Sequence, residues 1–222
     1  MKIYNGEKAI ISLTSWKARI NTVGKTLYSL LKMCPGFHIV LVLSEEEFPK
    51  KEEELPEELM LFVDNDLIEI LWVYKNYKAF KKVLFTMDKY RDVPVISADD
   101  DCIYLRNYAE KWYNEWLKNK KSIICNGIGY GFNFKWGNGP YTLFPPYCFN
   151  EYGIKKLNDE ILNTNNDDAY YGVLLTKLKI QIKEMREKNI IKFHDEIKGL
   201  GVNRTKEIVE ENFNIIDKNI KL

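Results

Sequence analysis

The sequence has the composition of a folded protein and almost no net charge. Of its 222 residues, 45% are hydrophobic and 29% are charged, a balance that excludes a wholly disordered chain. Lys and Arg total 33 against 32 for Asp and Glu, which gives a formal net charge of +1. Nucleic-acid-binding proteins carry an excess of basic residues, so the charge gives no support to that class.

Cysteine usage and hydropathy indicate a cytoplasmic protein. No stretch approaches the ~20 apolar residues that span a bilayer, and the first apolar run, residues 9–13, is too short for a signal peptide. We therefore expect a cytoplasmic location, compatible with peripheral contact at the inner face of the membrane. Four cysteines lie too far apart for a zinc or redox motif and are predicted to be reduced, buried thiols: Cys34, Cys102, Cys125 and Cys148.

Buried strands alternate with amphipathic helices along the first half of the chain. This alternation predicts an α/β fold of Rossmann-like type, with a mostly parallel central sheet flanked by helices. Neither a P-loop nor a G-x-G-x-x-G signature is present, so a nucleotide site in this fold is expected to recruit its phosphates through a metal. The predicted strands are residues 9–13, 37–44, 67–73 and 93–97, and the predicted helices are residues 21–35 and 80–90.

The second half is predicted to continue with helices and short strands. Residues 126–146 are rich in glycine and aromatic residues and are predicted to form one or two strands with tight turns. Trp112 and Trp116 are spaced to share one helix face. The other predicted elements are helices at 108–118, 150–162, 169–178 and 206–217, a strand beginning at 122–125, and a polar loop at 163–168.

Three adjacent aspartates, Asp99, Asp100 and Asp101, follow the predicted strand 93–97. Adjacent carboxylates repel one another and are costly to desolvate unless a cation lies among them. Ligands of open α/β sheets bind beyond the carboxyl ends of the strands, so a divalent cation is expected here. The alternative is a solvated acidic turn or a helix-capping cluster.

Polar and basic residues follow two of the other strands. Thr14, Ser15 and Arg19 come after the first strand and suit a nucleotide or phosphate site, although a plain polar loop has the same composition. Cations at a helix start are unfavourable next to the helix dipole, so the lysines at the start of the helix 80–90 indicate either a nearby anion or a solvated lysine face. These lysines are Lys75, Lys78, Lys81 and Lys82.

Several motifs, in the same order along the chain, resemble a group of bacterial GT-A-type glycosyltransferases that build capsular or lipopolysaccharide sugars. They are ISLTSWKARI, LVLSEEEFP, NYKAFKK, ISADDDCIY, GPYTLFPP and NDDAYYGVLL. Together they cover most of residues 9–175, whereas the region after Leu178 matches weakly. The resemblance implies one GT-A-like domain over residues 1–222, with a nucleotide-sugar-binding half at 1–104 and an acceptor-side half at 105–222.

The resemblance also implies the ligands and the roles of the site residues. The donor would be a UDP- or GDP-sugar, the cofactor Mn²⁺ or Mg²⁺, and the acceptor a saccharide or a lipid-linked saccharide. Asp99 and Asp101 would hold the metal or the donor ribose, with Asp100 assisting. Thr14, Ser15 and Arg19 would lie beside the nucleotide, and Lys78 near its phosphates.

The later aspartates, Asp167 and Asp168, match the place where inverting members of this group keep their catalytic base. Helix capping alone would account for one aspartate at this position. We expect Asp168 to be the base, with Asp167 as the alternative, and His194 is a candidate third metal ligand. A sugar nucleotidyltransferase and a non-catalytic nucleotide- or sugar-binding module are the two rival functions.

Overall fold

The computed structural model describes residues 5–137, 142–149, 152–187, 191–193 and 205–221. Strands and helices alternate along the first hundred residues, as predicted. The strands are β1 (Ile10–Thr14), β2 (His38–Ser44), β3 (Glu69–Val73), β4 (Val95–Ser97), β5 (Cys102–Tyr104), β6 (Ile123–Cys125), β7 (Ile128–Gly131), β8 (Phe134–Gly137), β9 (Thr142–Phe144), β10 (Ile182–Glu184) and β11 (Ile191–Phe193). The α-helices are α1 (Val23–Met33), α2 (Glu57–Asp64), α3 (Lys81–Lys89), α4 (Tyr108–Lys118), α5 (Asp159–Thr164), α6 (Asp167–Lys177) and α7 (Lys206–Asn219).

A mostly parallel seven-stranded sheet forms the centre of the fold, in the order β10-β6-β9-β4-β1-β2-β3. Strands β1, β2, β3 and β4 pair in parallel, and so do β6 and β10. Only β9 runs antiparallel to its neighbours within this described sheet, β4 and β6. Because β1 to β4 point the same way, their carboxyl ends meet at one edge, where α/β proteins bind their ligands.

The helices cover both faces of the sheet, which explains why its strands are continuously apolar. Along β2, Ile39 and Leu41 join the core beneath α1, α2 and α4, whereas Val40 and Val42 join the core beneath α3, α5, α6 and α7. Helix α1 buries Val23, Leu27 and Leu30 on one face, the spacing of an amphipathic helix. Trp112 and Trp116, which were predicted to share one helix face, both lie on α4 and are buried in the first of these cores.

The predicted α/β class is confirmed, but the helix predicted at 150–162 is wrong. The described part of that segment holds a 3₁₀ turn, Ile154–Lys156, and then α5. Asn158 lies between them in an extended conformation, and its side chain accepts a hydrogen bond from the backbone N–H of Ile161 at 2.9 Å. An extended capping residue starts a new helix, so a continuous helix cannot pass through this position.

Three further features extend or confirm the sequence-based predictions. Strands β10 and β11 were not predicted, and β11 pairs with β5 in a separate two-stranded sheet. All four cysteines are unpaired and buried. No helix within the described ranges is both long enough and apolar enough to cross a membrane.

The central sheet gives a first prediction. Leu41 is fully buried in the middle of β2, so Leu41→Ala should lower the free energy of unfolding by about 2–5 kcal/mol, through lost burial and the cavity left behind. Leu61→Ala on α2 is the matched control, because Leu61 is 56% exposed, and should change it by no more than about 0.5 kcal/mol. Urea denaturation measures both. Equal effects of the two substitutions would contradict this description of the core.

Candidate active site at the carboxyl ends of the strands

A cleft of about 560 Å³ lies at the carboxyl edge of the sheet. Its walls come from the segments that follow β1, β2, β3 and β4 and from the amino-terminal ends of α3 and α6. It is lined by Thr14, Ser15, Trp16, Arg19, Glu47, Asn76, Lys78, Ala79, Lys81, Lys82, Asp99, Asp100, Asp101, Asn165, Asp167 and Asp168.

Asp100, the middle residue of the aspartate triplet, is buried and bonded to the segment that follows β1. Its carboxylate accepts hydrogen bonds from Ser15 Oγ at 2.6 Å and from Arg19 Nη1 at 2.7 Å, and its backbone carbonyl accepts one from Thr26 Oγ1 at 2.9 Å. Burial raises the pKa of Asp100, against the opposing effect of Ser15 and Arg19. Asp100 therefore links the ends of β4 and β1 across the base of the cleft.

Asp99 and Asp101 are partly exposed and are spaced to share a cation. One ligand atom from each, together with Cys102 Sγ, forms a group whose atoms all lie within 4.8 Å of one another. Burial raises the pKa of Cys102, and sulfur is a poor ligand for Mg²⁺ or Mn²⁺, which prefer oxygen. The two carboxylates fit either ion, because these ions are commonly held by one or two carboxylates and by substrate phosphates.

Tyr104 fixes the backbone that carries Asp99. The phenol oxygen accepts a hydrogen bond from the backbone N–H of Asp99 at 2.8 Å and lies 3.4 Å from its carbonyl oxygen. Burial raises the pKa of Tyr104 well above its ordinary value, so the phenol stays neutral. A neutral phenol can both accept and donate, and it therefore holds both polar groups of the Asp99 backbone.

Lys82 connects the two acidic motifs. Its ammonium donates to Asp99 Oδ1 at 2.6 Å and lies 3.7 Å from Asp167 Oδ2. Burial disfavours the charged form, but the charges of Asp99, Asp167 and Asp168 raise the pKa of Lys82 above its ordinary value. Lys82 therefore stays charged and neutralises part of the carboxylate cluster.

Two other lysines belong to the same wall, and one of them has an unusual backbone. Lys81 is 1% exposed; burial lowers its pKa although Glu47, at 3.4 Å, opposes this effect. Lys78 has φ = 51° and donates through Nζ to the backbone carbonyl of Leu162 at 3.0 Å. A left-handed conformation is costly for a residue other than glycine and occurs preferentially at ligand sites.

Asp167 and Asp168 open α6, but neither is its capping residue. Asn166 caps the helix, because its Oδ1 accepts a hydrogen bond from the backbone N–H of Ala169 at 3.1 Å. The alternative that an aspartate is present only to cap the helix is therefore wrong. Both aspartates lie in the first turn, where the helix dipole stabilises negative charge, and both line the cleft.

The structure brings together all but one of the predicted site residues. Several of their side chains bond to the protein itself, among them Ser15 and Arg19 to Asp100, and Thr14 Oγ1 to the carbonyl of Val42 at 2.7 Å. The exception, His194, lies outside the described residues. The roles predicted for the other site residues remain predictions; these residues are Thr14, Ser15, Arg19, Lys78, Asp99, Asp100, Asp101, Asp167 and Asp168.

Sequence reasoning assigned no role to Lys82, Tyr104 or Cys102. Lys82 carried one signal, its position in the first turn of a helix where a cation is unfavourable. The nearby anions turn out to be the carboxylates of the protein itself, so the solvated lysine face is wrong for Lys82 and for Lys81. Tyr104 and Cys102 gave no signal beyond an apolar run, because their contacts depend on how the chain turns at Asp100.

Carboxylates outnumber cations in the cleft. Six carboxylates and four basic side chains line it, which leaves an excess of two negative charges when all are ionised. A phosphorylated ligand adds further negative charge and would be repelled. A divalent cation balances this excess, so the cleft suits an anionic ligand that arrives with a metal ion.

Solved structures of one glycosyltransferase, TarS of S. aureus, share this fold. The structure of TarS 1–349 in complex with UDP matches with a TM-score of 0.59 and 10% sequence identity, over 95% of this chain and 64% of that chain. Two further TarS structures match: TarS 1–349 (TM-score 0.56, 10% identity, 83% of this chain, 60% of that chain) and TarS (0.52, 11%, 84% and 36%).

These matches confirm the predicted fold class, because the chain shares its mixed α/β fold and mostly parallel central sheet with solved structures. The chain spans less than two thirds of the length of each TarS chain it matches. No protein-family model matches the sequence, and no curated protein matches it.

The Arg19–Asp100 pair gives a prediction about stability. Arg19→Met leaves the buried carboxylate of Asp100 without its guanidinium and should lower the free energy of unfolding at pH 7 by about 3–5 kcal/mol. Because burial raises the pKa of Asp100, this carboxylate binds a proton more readily in the folded variant than in the unfolded chain. The difference in free energy of unfolding between the variant and the native protein should therefore shrink as the pH falls.

Urea denaturation at pH 7 and pH 5 measures this change. Arg91→Met is the matched control, since the side chains of its ion pair with Asp88 are 65% and 55% exposed; it should change the free energy of unfolding by no more than about 0.5 kcal/mol. A deficit for Arg19→Met that grows at the lower pH would contradict the expectation.

Proposed function

We propose that this chain is a metal-dependent, inverting glycosyltransferase of bacterial surface-polysaccharide synthesis, such as capsule or lipopolysaccharide. It moves a sugar from a UDP- or GDP-sugar to a saccharide or lipid-linked saccharide acceptor. The observation that carries the proposal is one cleft at the carboxyl edge of the sheet, lined both by Asp99 and Asp101 and by Asp167 and Asp168. A structure with the same fold, TarS 1–349, was solved with UDP, which supports a nucleotide in this cleft.

Asp99 and Asp101 are the residues that would hold Mn²⁺ or Mg²⁺, together with the donor phosphates. The bound ion supplies Lewis acidity that stabilises the departing diphosphate without proton transfer. Tyr104 holds the Asp99 backbone, and Arg19 lies 3.1 Å from Asp101 Oδ2, so both carboxylates are positioned by the chain itself. Lys78, in its left-handed conformation, contributes a positive charge for the phosphates.

Asp168 is the carboxylate we assign as base. Both aspartates act on the charge of Lys82, so the assignment follows the position of Asp168 in the motif, and Asp167 is the alternative. The acceptor hydroxyl oxygen attacks the anomeric carbon. At the same time the bond from that carbon to the diphosphate oxygen breaks, and the electron pair of the broken bond remains on the departing nucleoside diphosphate. The acceptor proton passes to Asp168. A base on the face opposite to the leaving group gives inversion, as in inverting glycosidases.

Calorimetric titration of UDP and GDP tests the donor site. One of the two nucleotides should bind about tenfold or more tightly with Mn²⁺ than with a chelator, because a contact to a charged group contributes about 1.5–3 kcal/mol. The double variant Asp99→Asn, Asp101→Asn should lose this difference.

The chain offers a control of the same spacing. Asp64 and Asp66 are both exposed at the end of α2, so Asp64→Asn, Asp66→Asn should retain metal-dependent binding. Metal-independent binding, unaffected by either double variant, would favour a non-catalytic binding module, and the absence of any nucleotide binding would contradict the proposed donor site.

The base assignment is tested by hydrolysis of the bound sugar nucleotide, in which water replaces the acceptor. Asp168→Asn should lower kcat by about 10²–10⁴-fold, the usual contribution of general base catalysis, while the Kd of the nucleotide with Mn²⁺ stays the same. The matched variant is Asp167→Asn. Loss of kcat in Asp167→Asn with normal turnover in Asp168→Asn would reverse the two roles.

A further inference from the structure

Two buried hydroxyls line a small pocket beside the cleft. The pocket has a volume of about 10 Å³ and shares Lys82, Asp167 and Asp168 with the larger cleft. Thr142 is 4% exposed and Tyr171 is 6% exposed, and within the described part of the chain Thr142 Oγ1 and Tyr171 OH have no hydrogen-bond partner. Native proteins pair nearly all their buried polar groups, so two such hydroxyls in one pocket indicate that a water or a ligand group binds there.

The Tyr171 side chain is held rigidly and remains a hydrogen-bond donor. Its ring stacks on Phe149, with centroids 5.7 Å apart and an interplanar angle of 6°, and meets the edge of Phe144 at 5.4 Å. Burial, together with the charges of Asp167 and Asp168, raises its pKa well above the ordinary value. A fixed, neutral phenol offers an O–H to whatever enters the pocket.

Thr142 and its neighbour Gly137 complete the opposite wall. The backbone of Thr142 is tied to Ser97: its N–H donates to Ser97 Oγ at 3.3 Å, and its carbonyl accepts from the same hydroxyl at 3.2 Å. At Gly137, an added Cβ would lie 2.8 Å from Thr142 Oγ1. The missing side chain therefore leaves space beside the Thr142 hydroxyl.

The pocket has the size and chemistry for one hydroxyl group. A volume of about 10 Å³ holds a single water-sized oxygen. A hydroxyl both donates and accepts, whereas an ammonium only donates and a carboxylate only accepts. The phenol of Tyr171 can donate to such a group, and the carboxylates of Asp167 and Asp168 can accept from it.

We propose that Thr142 and Tyr171 bind one hydroxyl group of the transferred sugar and are specificity-determining residues of the donor site. This inference rests on the proposed function. Lys82 contacts both Asp99 and Asp167 and lines both the cleft and the pocket, so in this proposal the sugar attached to a diphosphate beside Asp99 lies at this pocket. A pocket of this volume can hold a sugar hydroxyl. It is too small for an acetamido group that replaces this hydroxyl on the sugar ring.

The test compares each sugar nucleotide with its own nucleoside diphosphate. Calorimetry with Mn²⁺ gives the ratio of the two Kd values for UDP-glucose, UDP-galactose and UDP-N-acetylglucosamine against UDP, and for GDP-mannose against GDP. Tyr171→Phe and Thr142→Val should each raise the Kd of the preferred sugar nucleotide by about 3- to 10-fold, the effect of losing one neutral hydrogen bond. Binding of the nucleoside diphosphate itself should not change.

Two matched variants separate sugar binding from folding. Tyr170 is the buried neighbour of Tyr171 and its hydroxyl already donates to the carbonyl of Gly153, so Tyr170→Phe should leave the Kd ratio unchanged even where it lowers the melting temperature. Thr142→Ser keeps the hydroxyl and should retain the native ratio.

Unchanged ratios in both Tyr171→Phe and Thr142→Val, with native binding of the nucleoside diphosphate, would overturn the inference and assign the pocket to a structural water alone. Failure of UDP and GDP to bind the native protein would instead contradict the proposed function, and the inference would fail with it.

Discussion

The cleft depends on how the chain neutralises three adjacent carboxylates at the end of β4. Each carboxylate has a cation of the protein within ion-pair distance: Arg19 contacts Asp100 and Asp101, and Lys82 contacts Asp99. Burying an unpaired charge would cost several kcal/mol, so the turn at Asp100 requires both cations. They come from different elements, the segment after β1 and the first turn of α3, and the acidic turn therefore fixes these two elements relative to β4.

The same compensation joins the two acidic motifs into one site. Lys82 is shared between Asp99 and Asp167, residues that lie far apart in the sequence. Removing its charge would leave carboxylates from both motifs repelling one another at short range. The cations of the chain still fall short of its carboxylates by two charges in the cleft. Two excess negative charges equal in magnitude the charge of one divalent cation. The ion pairs made by Arg19 and Lys82 and the proposed metal ion would therefore together neutralise the carboxylates of the cleft.

Sequence patterns predicted the fold and the composition of the cleft well, because both depend on short-range regularities. Apolar strand runs, helical periodicity and polar strand ends are visible without any tertiary contact. The helix predicted at 150–162 failed because Asn158 forms a cap there, a competing local interaction that periodicity does not reveal. The links made by Lys82, and the pocket lined by the Thr142 and Tyr171 hydroxyls, could not be predicted, since each involves segments that meet only in the folded chain.

The low identity to TarS makes these long-range links more informative than the fold itself. At 10% identity over 95% of this chain, a shared α/β architecture requires only that buried positions remain apolar and of suitable volume. This fold places the residues at the strand ends along one edge of the sheet, but it does not determine which amino acids stand there. The compensated aspartates and the hydroxyl pocket depend on particular side chains of this sequence. They involve side chains whose burial is costly without a charged or hydrogen-bonding partner, so the chemistry of this protein is best inferred from them.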